Sequence, residues 1–247
     1  MSTRAVLFDF GGTLYDYRCF ARAEAETLAA TLTAARGPMS RGGAAGIVAS
    51  AEEIVRAQRD AMKSVFADYR DRPFYLHKDL FEDALRATLA NLGAAPDDAL
   101  LARHRRMQWD AHARDFALRP GVRETLAELR ARGLHVGMVS NIDDDQLDHL
   151  LEVAGVREDF DSVLSSEAAR SCKPEPGIFH EALRRAGCEP HQAVFVGDSL
   201  FHDVGGANRL GMRSVLIWHS ADRDPPGDGP KPSHVIRRFA ELLEVAG

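Results

Sequence analysis

Short apolar stretches alternate with longer amphipathic ones through the second half of the chain, and this alternation restricts the fold more than any other feature of the sequence. The predicted strands are residues 134–139, 162–164, 193–196 and 213–218, and the predicted helices are residues 122–132, 145–154, 176–186 and 204–210. Strands separated by helices form parallel βαβ units, because a parallel neighbour needs a long crossover connection. The pattern therefore predicts an α/β fold built on a doubly wound parallel sheet.

The chain also begins with a strand, and a long helical segment separates this strand from the rest of the pattern. Residues 4–8 are short, apolar and partly β-branched, as is typical of a buried strand. Apolar residues between 16 and 115 recur with helical spacing. We predict a core domain of residues 1–15 and 116–247 and an all-helical domain of residues 16–115. A last amphipathic helix is predicted to start at Ser233, its N-cap, and to end at Val245.

Composition and charge exclude several classes of protein. Hydrophobic residues make up 45% of the chain and charged residues 28%, which is typical of a globular protein and not of a disordered one. The net charge of -6 argues against a nucleic-acid partner, and no apolar run has the roughly 18–20 residues of a membrane helix. Three scattered cysteines do not indicate a disulfide framework, and the N-terminus does not resemble a secretion signal. These features predict a soluble, cytoplasmic protein without a membrane partner.

Residues that can carry chemistry follow the predicted strands. Asp9 ends the first strand, Ser140 follows the second, Asp198 follows the fourth with Asp203 five residues later, and Lys173 lies in a Lys-Pro loop. Sites in open parallel sheets form at the carboxyl ends of the strands. Carboxylates suit Mg²⁺, while a hydroxyl or an ammonium can bind a phosphate oxygen. Each residue alone is more often a turn or capping residue, but their joint order favours a phosphate site with a metal ion.

These residues belong to four motifs whose order resembles the haloacid dehalogenase-like (HAD) hydrolase superfamily. The motifs are Asp9-Phe10-Gly11-Gly12-Thr13-Leu14, Met138-Val139-Ser140-Asn141, Lys173-Pro174, and Val196-Gly197-Asp198-Ser199 continuing to Asp203. The resemblance extends over the whole predicted core. It implies a Rossmann-like core with an all-helical cap domain inserted between the first and second motifs.

The resemblance also implies a role for each motif residue and Mg²⁺ as the cofactor. Asp9 is the expected nucleophile, forming an aspartyl-phosphate that water hydrolyses, and Lys173 is the second expected catalytic residue. The residues expected to bind the phosphate are Gly11, Gly12, Thr13, Ser140, Asn141 and Lys173. The residues expected to bind the metal are Asp9, Gly11 through its carbonyl, Asp198 and Asp203. The implied activity is that of a phosphoric monoester hydrolase acting on a small phosphorylated metabolite.

Gly11 departs from the family pattern. Phosphatases of this family usually carry a second Asp here, which protonates the leaving oxygen and later activates water, and loss of such a group typically lowers the rate about 10²–10⁴-fold. Glycine keeps its carbonyl, so the metal site is expected to survive. The residues considered as replacements are Tyr15, Asp16, His202, Asp143, Asp144 and Asp145. The last three open a predicted helix, where carboxylates offset the helix dipole, and His202 is typical of a surface histidine.

Three further explanations of Gly11 stay open. The substrate can have a good leaving group that needs little protonation. The protein can cleave carbon–phosphorus bonds through an imine on a cap lysine, for which Lys63 and Lys78 are the candidates. Alternatively, catalysis is lost and the protein binds phosphate or acts as a scaffold. Dehalogenation is disfavoured, because dehalogenases of this family work without metal and this chain keeps Asp198 and Asp203.

Overall fold

The computed structural model describes residues 2–35, 49–94, 96–220 and 223–246. The chain forms two compact units. One comprises Met1–Tyr17 and Phe116–Gly247, and the other comprises Arg18–Asp115. We refer to the first as the core unit and to the second as the helical unit.

Four helices account for most of the described helical unit. They are α1 (Ala21–Ala35), α2 (Ala51–Tyr69), α3 (His77–Asn91) and α4 (Asp98–Asp115). The start of α2 is fixed by a capping box, in which Ser50 and Glu53 exchange side-chain to backbone hydrogen bonds. Helix α2 packs against α3, and α1 packs against α4. Residues 36–48 and 95, which belong to the predicted helical segment, lie outside the described residues.

A six-stranded parallel sheet forms the centre of the core unit, which confirms the predicted α/β class. Its strands are β1 (Ala5–Phe8), β2 (His135–Ser140), β3 (Ser162–Ser165), β4 (Ala193–Gly197), β5 (Arg213–Ile217) and β6 (His234–Ile236). They lie in the order β3-β2-β1-β4-β5-β6, and every neighbouring pair is parallel. The first strand of the chain therefore lies between β2 and β4.

The register of β1 with its neighbours determines which residues meet beyond the strand ends. Phe8 pairs with Met138 on β2 and with Val196 on β4. Because the three strands run in the same direction, the chain leaves all of them at one edge of the sheet. Asp9 and Asp198 follow these paired positions closely and therefore lie at the same edge.

Helices connect and flank the strands of the core unit. They are α5 (Val122–Ala131), α6 (Asp144–Ala154), α7 (Ser166–Ala169), α8 (Pro176–Ala186), α9 (Gly205–Arg209) and α10 (Leu242–Val245). Pro176 occupies the first turn of α8, where its missing N–H costs no hydrogen bond. The buried rings of Phe179 on α8 and Phe195 on β4 lie 5.0 Å apart and join this helix to the sheet. No helix among the described residues is long and apolar enough to cross a membrane.

The C-terminal segment differs from the prediction of a single helix over residues 233–245, which is wrong. The chain forms β6, then a 3₁₀ turn at Phe239–Glu241 and the short α10. Ser233 caps no helix there, since its N–H donates to the carbonyl of Ser214 at 2.9 Å as the chain enters β6. The strand is favoured because it pairs with the backbone groups of β5, which would otherwise lack partners, and because it buries Ile236.

Candidate active site

Asp9 lies at the end of β1 with a different set of partners at each carboxylate oxygen. Lys173 Nζ donates to Oδ1 at 2.6 Å, and the Thr13 hydroxyl donates to Oδ2 at 2.9 Å. Ser140 Oγ lies 3.4 Å from Oδ1. The Asp9 N–H donates to the carbonyl of Val196 at 2.8 Å, which ties the end of β1 to β4. The carboxylate is buried, so these neighbours hold it in one orientation.

Lys173 joins two of the carboxylates. Its ammonium donates to Asp9 Oδ1 at 2.6 Å and to Asp203 Oδ1 at 2.7 Å, and its side chain is only 2% exposed. Burial alone would lower the pKa of Lys173, but the negative charges of Asp203 and Asp9 outweigh burial and raise the pKa above its ordinary value. The lysine is therefore a fixed positive charge between two carboxylates at physiological pH.

Asn141, at the end of β2, holds the backbone of Lys173. Asn141 Nδ2 donates to the Lys173 carbonyl at 2.9 Å, and the Lys173 N–H donates to Asn141 Oδ1 at 2.7 Å. The Lys173–Pro174 peptide bond is cis. Since both ends of the amide are used in this pair, Asn141 positions the lysine. The predicted contact of Asn141 with phosphate stays a prediction.

Asp198 and Asp203 complete a cluster of three carboxylates with Asp9. One oxygen from each of the three lies within 4.8 Å of the others. The Ser199 N–H donates to Asp203 Oδ2 at 2.9 Å, and Lys173 donates to Oδ1. Burial, together with the negative charges of Asp9 and Asp203, raises the pKa of Asp198 to about 7. Burial also raises the pKa of Asp203, and the charge of Lys173 opposes this rise.

Two glycines of the predicted motifs leave room for these carboxylates. A Cβ atom on Gly12 would lie 2.2 Å from Asp198 Oδ2, and the φ of +79° at Gly12 also favours glycine. A Cβ atom on Gly197 would lie 2.3 Å from Asp203 Cγ. Glycine is needed at both positions because the backbone passes so close to the acids.

The charge and spacing of this cluster fit a divalent cation. Three ionised carboxylates and one ammonium leave an excess of two negative charges in a region where unbalanced charge is costly. Burial is the main cause of the raised pKa of Asp198, and the negative charges of Asp9 and Asp203 add to it. Carboxylate oxygens are the ligands that Mg²⁺ prefers. Asp198 fits this role well, and Asp9 and Asp203 each offer a carboxylate whose two oxygens also accept hydrogen bonds from the protein.

Gly11 lies against Tyr17, a residue that sequence reasoning missed. A Cβ atom on Gly11 would lie 2.2 Å from Tyr17 Oη and 3.1 Å from Tyr15 Oη. Although 58% of the surface of Tyr17 is exposed, protein atoms surround its hydroxyl end. This burial, the neighbouring Tyr15 hydroxyl and the negative charges of the three carboxylates raise the pKa of Tyr17 well above 10. The hydroxyl therefore keeps its proton at neutral pH.

The predicted replacements for the missing acid other than Tyr15 have structural surroundings of their own. Asp16 accepts a hydrogen bond from Arg119 at 3.3 Å. His202 Nδ1 lies 3.2 Å from Ser199 Oγ, and burial lowers the pKa of His202. Residues 143–145 lie at the start of α6, as the sequence predicts. The atoms nearest to a Cβ position on Gly11 belong to the two tyrosines and to none of these residues.

Most of the predicted site residues thus come together in the core unit. The three acids, the lysine, Thr13 and Ser140 surround one point, while Gly12 makes room for them. The two lysines considered for imine formation are in the helical unit, where Lys63 on α2 is exposed and Lys78 on α3 is partly buried. The catalytic and ligand roles of all these residues stay predictions.

A parallel sheet with an acid-and-lysine cluster at the carboxyl ends of its central strands is the arrangement of a HAD-type hydrolase. Residues 3–211 match the haloacid dehalogenase-like hydrolase family, and the chain belongs to that family. The match includes the first acid, the lysine and both acids of the fourth motif.

Relatives in the family differ in how much of the chain they match. The chain is 33% identical to glyceraldehyde 3-phosphate phosphatase from Methanopyrus kandleri over 245 residues. The aligned region covers 98% of this chain and 96% of that protein. The chain is 40% identical to haloacid dehalogenase-like hydrolase domain-containing protein 3 from Homo sapiens over 134 residues. This aligned region covers 54% of this chain and only 53% of that protein. The crystal structure of L-2-haloacid dehalogenase from Xanthobacter autotrophicus is similar with a TM-score of 0.70, at 25% identity and over 98% of each chain.

Proposed function

We propose that this hydrolase is a Mg²⁺-dependent phosphatase that acts on a small phosphorylated metabolite through an aspartyl-phosphate on Asp9. The observation that carries the proposal is the buried Lys173, which bridges Asp9 and Asp203 beside the carboxylate of Asp198. A carboxylate that attacks a phosphate dianion must overcome the repulsion between two negative charges. The lysine and a cation at the carboxylate cluster supply positive charge where this repulsion arises.

The residues of the chain divide the proposed reaction among them. Asp9 attacks phosphorus, the ester oxygen leaves with the electron pair of the broken bond and takes a proton from water, and water then hydrolyses the aspartyl-phosphate to inorganic phosphate. Lys173 neutralises the transferred phosphoryl group and keeps the nucleophile oriented. In this proposal the Ser140 hydroxyl donates to the same phosphoryl group, which its distance of 3.4 Å from Asp9 Oδ1 supports. Bound Mg²⁺ supplies charge neutralisation and orients the phosphate. Asp203 serves the reaction by orienting Lys173, whose ammonium donates to Asp203 Oδ1 at 2.7 Å.

The charge balance of the site favours a phosphate ester over a haloacid. The excess of two negative charges repels the carboxylate of a haloacid, whereas a divalent cation cancels this excess and allows an anionic substrate to approach. Asp198 makes the difference, since Asp9, Asp203 and Lys173 alone leave an excess of only one charge.

A triose phosphate is the substrate proposed first. The similarity to a glyceraldehyde 3-phosphate phosphatase extends along nearly the whole of both chains, so the helical unit shares in it as well as the core unit. In this proposal the helical unit, residues 18–115, is the cap domain, and its side chains select the part of the substrate beyond the phosphate.

Release of p-nitrophenol from p-nitrophenyl phosphate by the full chain tests the proposal. We expect turnover with Mg²⁺ and none with EDTA. Asp9→Asn keeps the size of the side chain but removes the nucleophile, and it is expected to abolish turnover. Asp148→Asn makes the same chemical change at a side chain on α6 that is 70% exposed, and it is expected to keep full activity. Glyceraldehyde 3-phosphate is the first metabolite to test in the same way.

Each competing function predicts a different result. Turnover that survives Asp9→Asn or EDTA would contradict the proposed mechanism. Metal-independent release of chloride from 2-chloropropionate would identify a dehalogenase. A substrate trapped by borohydride on Lys63 or Lys78 would identify a carbon–phosphorus hydrolase. Binding of inorganic phosphate with Mg²⁺, without turnover of any ester, would identify a binding or scaffold protein.

A further inference from the structure

The Tyr17 hydroxyl occupies the space that a side chain at Gly11 would need. A Cβ atom on Gly11 would lie 2.2 Å from Tyr17 Oη and 2.8 Å from Cζ, which is too close for any real Cβ atom. Gly11 is not among the glycines with a left-handed φ, so its backbone itself would accept an ordinary residue. Tyr17 is therefore what excludes a side chain from this position, and the two residues act as alternatives for the same volume.

Aromatic contacts hold the Tyr17 ring beside the nucleophile. The ring packs edge-on against Tyr15 with centroids 5.4 Å apart, and Tyr15 packs edge-on against Phe10 at 5.0 Å. Tyr17 Cε2 and Asp198 Oδ2 both lie within 3.0 Å of the position of a Cβ atom on Gly12. The phenol and the acid cluster thus share one small region of the core unit.

The Tyr17 hydroxyl is available to a substrate as a hydrogen-bond donor. Among the residues that the structure describes, no partner accepts a hydrogen bond from it. Although protein atoms surround the hydroxyl end, 58% of the surface of Tyr17 is exposed, and a substrate has to approach the hydroxyl from this exposed side. A neutral hydroxyl beside a cluster of acids differs from a second carboxylate in adding no negative charge.

We propose that the Tyr17 hydroxyl replaces the acid missing at Gly11 and donates a hydrogen bond to the leaving oxygen of the substrate. The inference rests on the proposed phosphatase function. As the bond from Asp9 to phosphorus forms, the bond from phosphorus to the leaving oxygen breaks, and its electron pair stays on that oxygen. The hydrogen bond stabilises this developing charge, and the departing oxygen takes its proton from water.

Aryl phosphates with graded leaving groups, from p-nitrophenyl to phenyl phosphate, test this role through kcat/KM. In Tyr17→Phe we expect kcat/KM for p-nitrophenyl phosphate to fall no more than about threefold, and that for phenyl phosphate to fall about 10–100-fold, because a poor leaving group depends most on stabilisation of its oxygen. Tyr15→Phe is the matched control, since it removes another hydroxyl 3.1 Å from the same Cβ position. It is expected to leave the dependence on the leaving group unchanged.

A second variant tests the exchange of the two groups directly. Tyr17→Ala removes the contact that blocks Gly11, so adding Gly11→Asp to it is expected to restore phenyl phosphate hydrolysis at least about tenfold over Tyr17→Ala alone. Any of three results would overturn the inference. They are equal losses of kcat/KM across the whole series in Tyr17→Phe, the same change in the dependence of kcat/KM on the leaving group in Tyr15→Phe, and no rescue by Gly11→Asp. Absence of any p-nitrophenyl phosphate turnover in the unmodified protein would instead overturn the proposed function, so the two failures are distinguishable.

Discussion

Asp198→Asn is expected to stabilise the metal-free protein at alkaline pH, although it removes a residue proposed to bind Mg²⁺. The carboxyl of Asp198 has an ordinary pKa of 3.8, which burial and the charges of Asp9 and Asp203 raise to about 7 in the folded protein. Between these two values the folded state binds more protons than the unfolded state. The free energy of unfolding therefore falls as the pH rises from about 4 to about 7, because ionisation of Asp198 costs more in the folded protein.

The size of the effect follows from the shift in pKa. Each unit corresponds to 1.36 kcal/mol, so a shift from 3.8 to about 7 is worth at most about 4 kcal/mol when the group is fully ionised. Part of this cost is already present at about pH 5, and we expect the stability advantage of Asp198→Asn to grow by at most about 3 kcal/mol between about pH 5 and about pH 8. Comparing two pH values cancels any constant effect of the amide itself.

Urea unfolding in EDTA, followed by tryptophan fluorescence, measures this advantage. The chain has two tryptophans, and a Trp109→Phe background leaves Trp218 to report on the core unit. Asp148→Asn, at an exposed side chain, is the control for replacing a carboxylate by an amide. With Mg²⁺ at about 100 times its dissociation constant, the unmodified protein gains about 2.7 kcal/mol by mass action, and Asp198→Asn gains less.

Two results would refute this reasoning. An advantage of Asp198→Asn that stays constant or shrinks from acid to alkaline pH would show that the carboxylate is not destabilised by its surroundings. Equal stabilisation of both proteins by Mg²⁺ would show that the cation binds elsewhere.

Two further substitutions test, one at a time, the positive charge of Lys173 and the space beside Gly12. Lys173→Met leaves the buried Asp9 without its ammonium partner. The substitution is expected to lower the free energy of unfolding by about 3–5 kcal/mol, measured by the same urea titration. An effect below about 1 kcal/mol would mean that the ion pair is effectively solvated. Gly12→Ala is expected to abolish Mg²⁺ binding in calorimetry, because its Cβ atom would collide with Asp198. Gly133→Ala is the matched control, since Gly133 also has a left-handed φ but no atom within 4 Å of its Cβ position. This variant is expected to keep Mg²⁺ binding. Equal Mg²⁺ binding by both variants would contradict the proposed collision with Asp198.

The parallel sheet and the acids at its edge could be predicted because both follow from short-range patterns. Apolar stretches separated by helices permit few arrangements other than βαβ units, and residues just after parallel strands lie at one edge. Asp9 and Asp198 could therefore be assigned to one place without knowledge of the strand order. Lys173 lies in a loop, and only its position in the order of the motifs indicated that it would join them.

Features that depend on contacts between distant parts of the chain could not be predicted in the same way. Tyr17 lies six residues beyond Gly11, and only the path of the intervening turn brings its hydroxyl back to Gly11. The sequence signal that was available for Tyr17 is a glycine where the family usually has a larger residue, followed closely by tyrosines. The amide pair between Asn141 and the Lys173 backbone leaves no trace in the sequence, and the phosphate contact that the family resemblance implies for Asn141 stays a prediction. The strand at 234–236 is three residues long, too short for an alternating pattern to compete with the helical periodicity of the segment after it.

The central position of β1 has a consequence during protein synthesis. The ribosome makes Asp9 at the start of the chain and Asp203 194 residues later, an interval of about 10–40 s at about 5–20 residues per second. During that interval the ribosome makes first β2 and then β4, and only after both exist can β1 have a neighbour on each side. A fragment that ends before residue 173 carries Asp9, the proposed nucleophile, without its ammonium partner and without the acids of the fourth motif, so it lacks most of the proposed site.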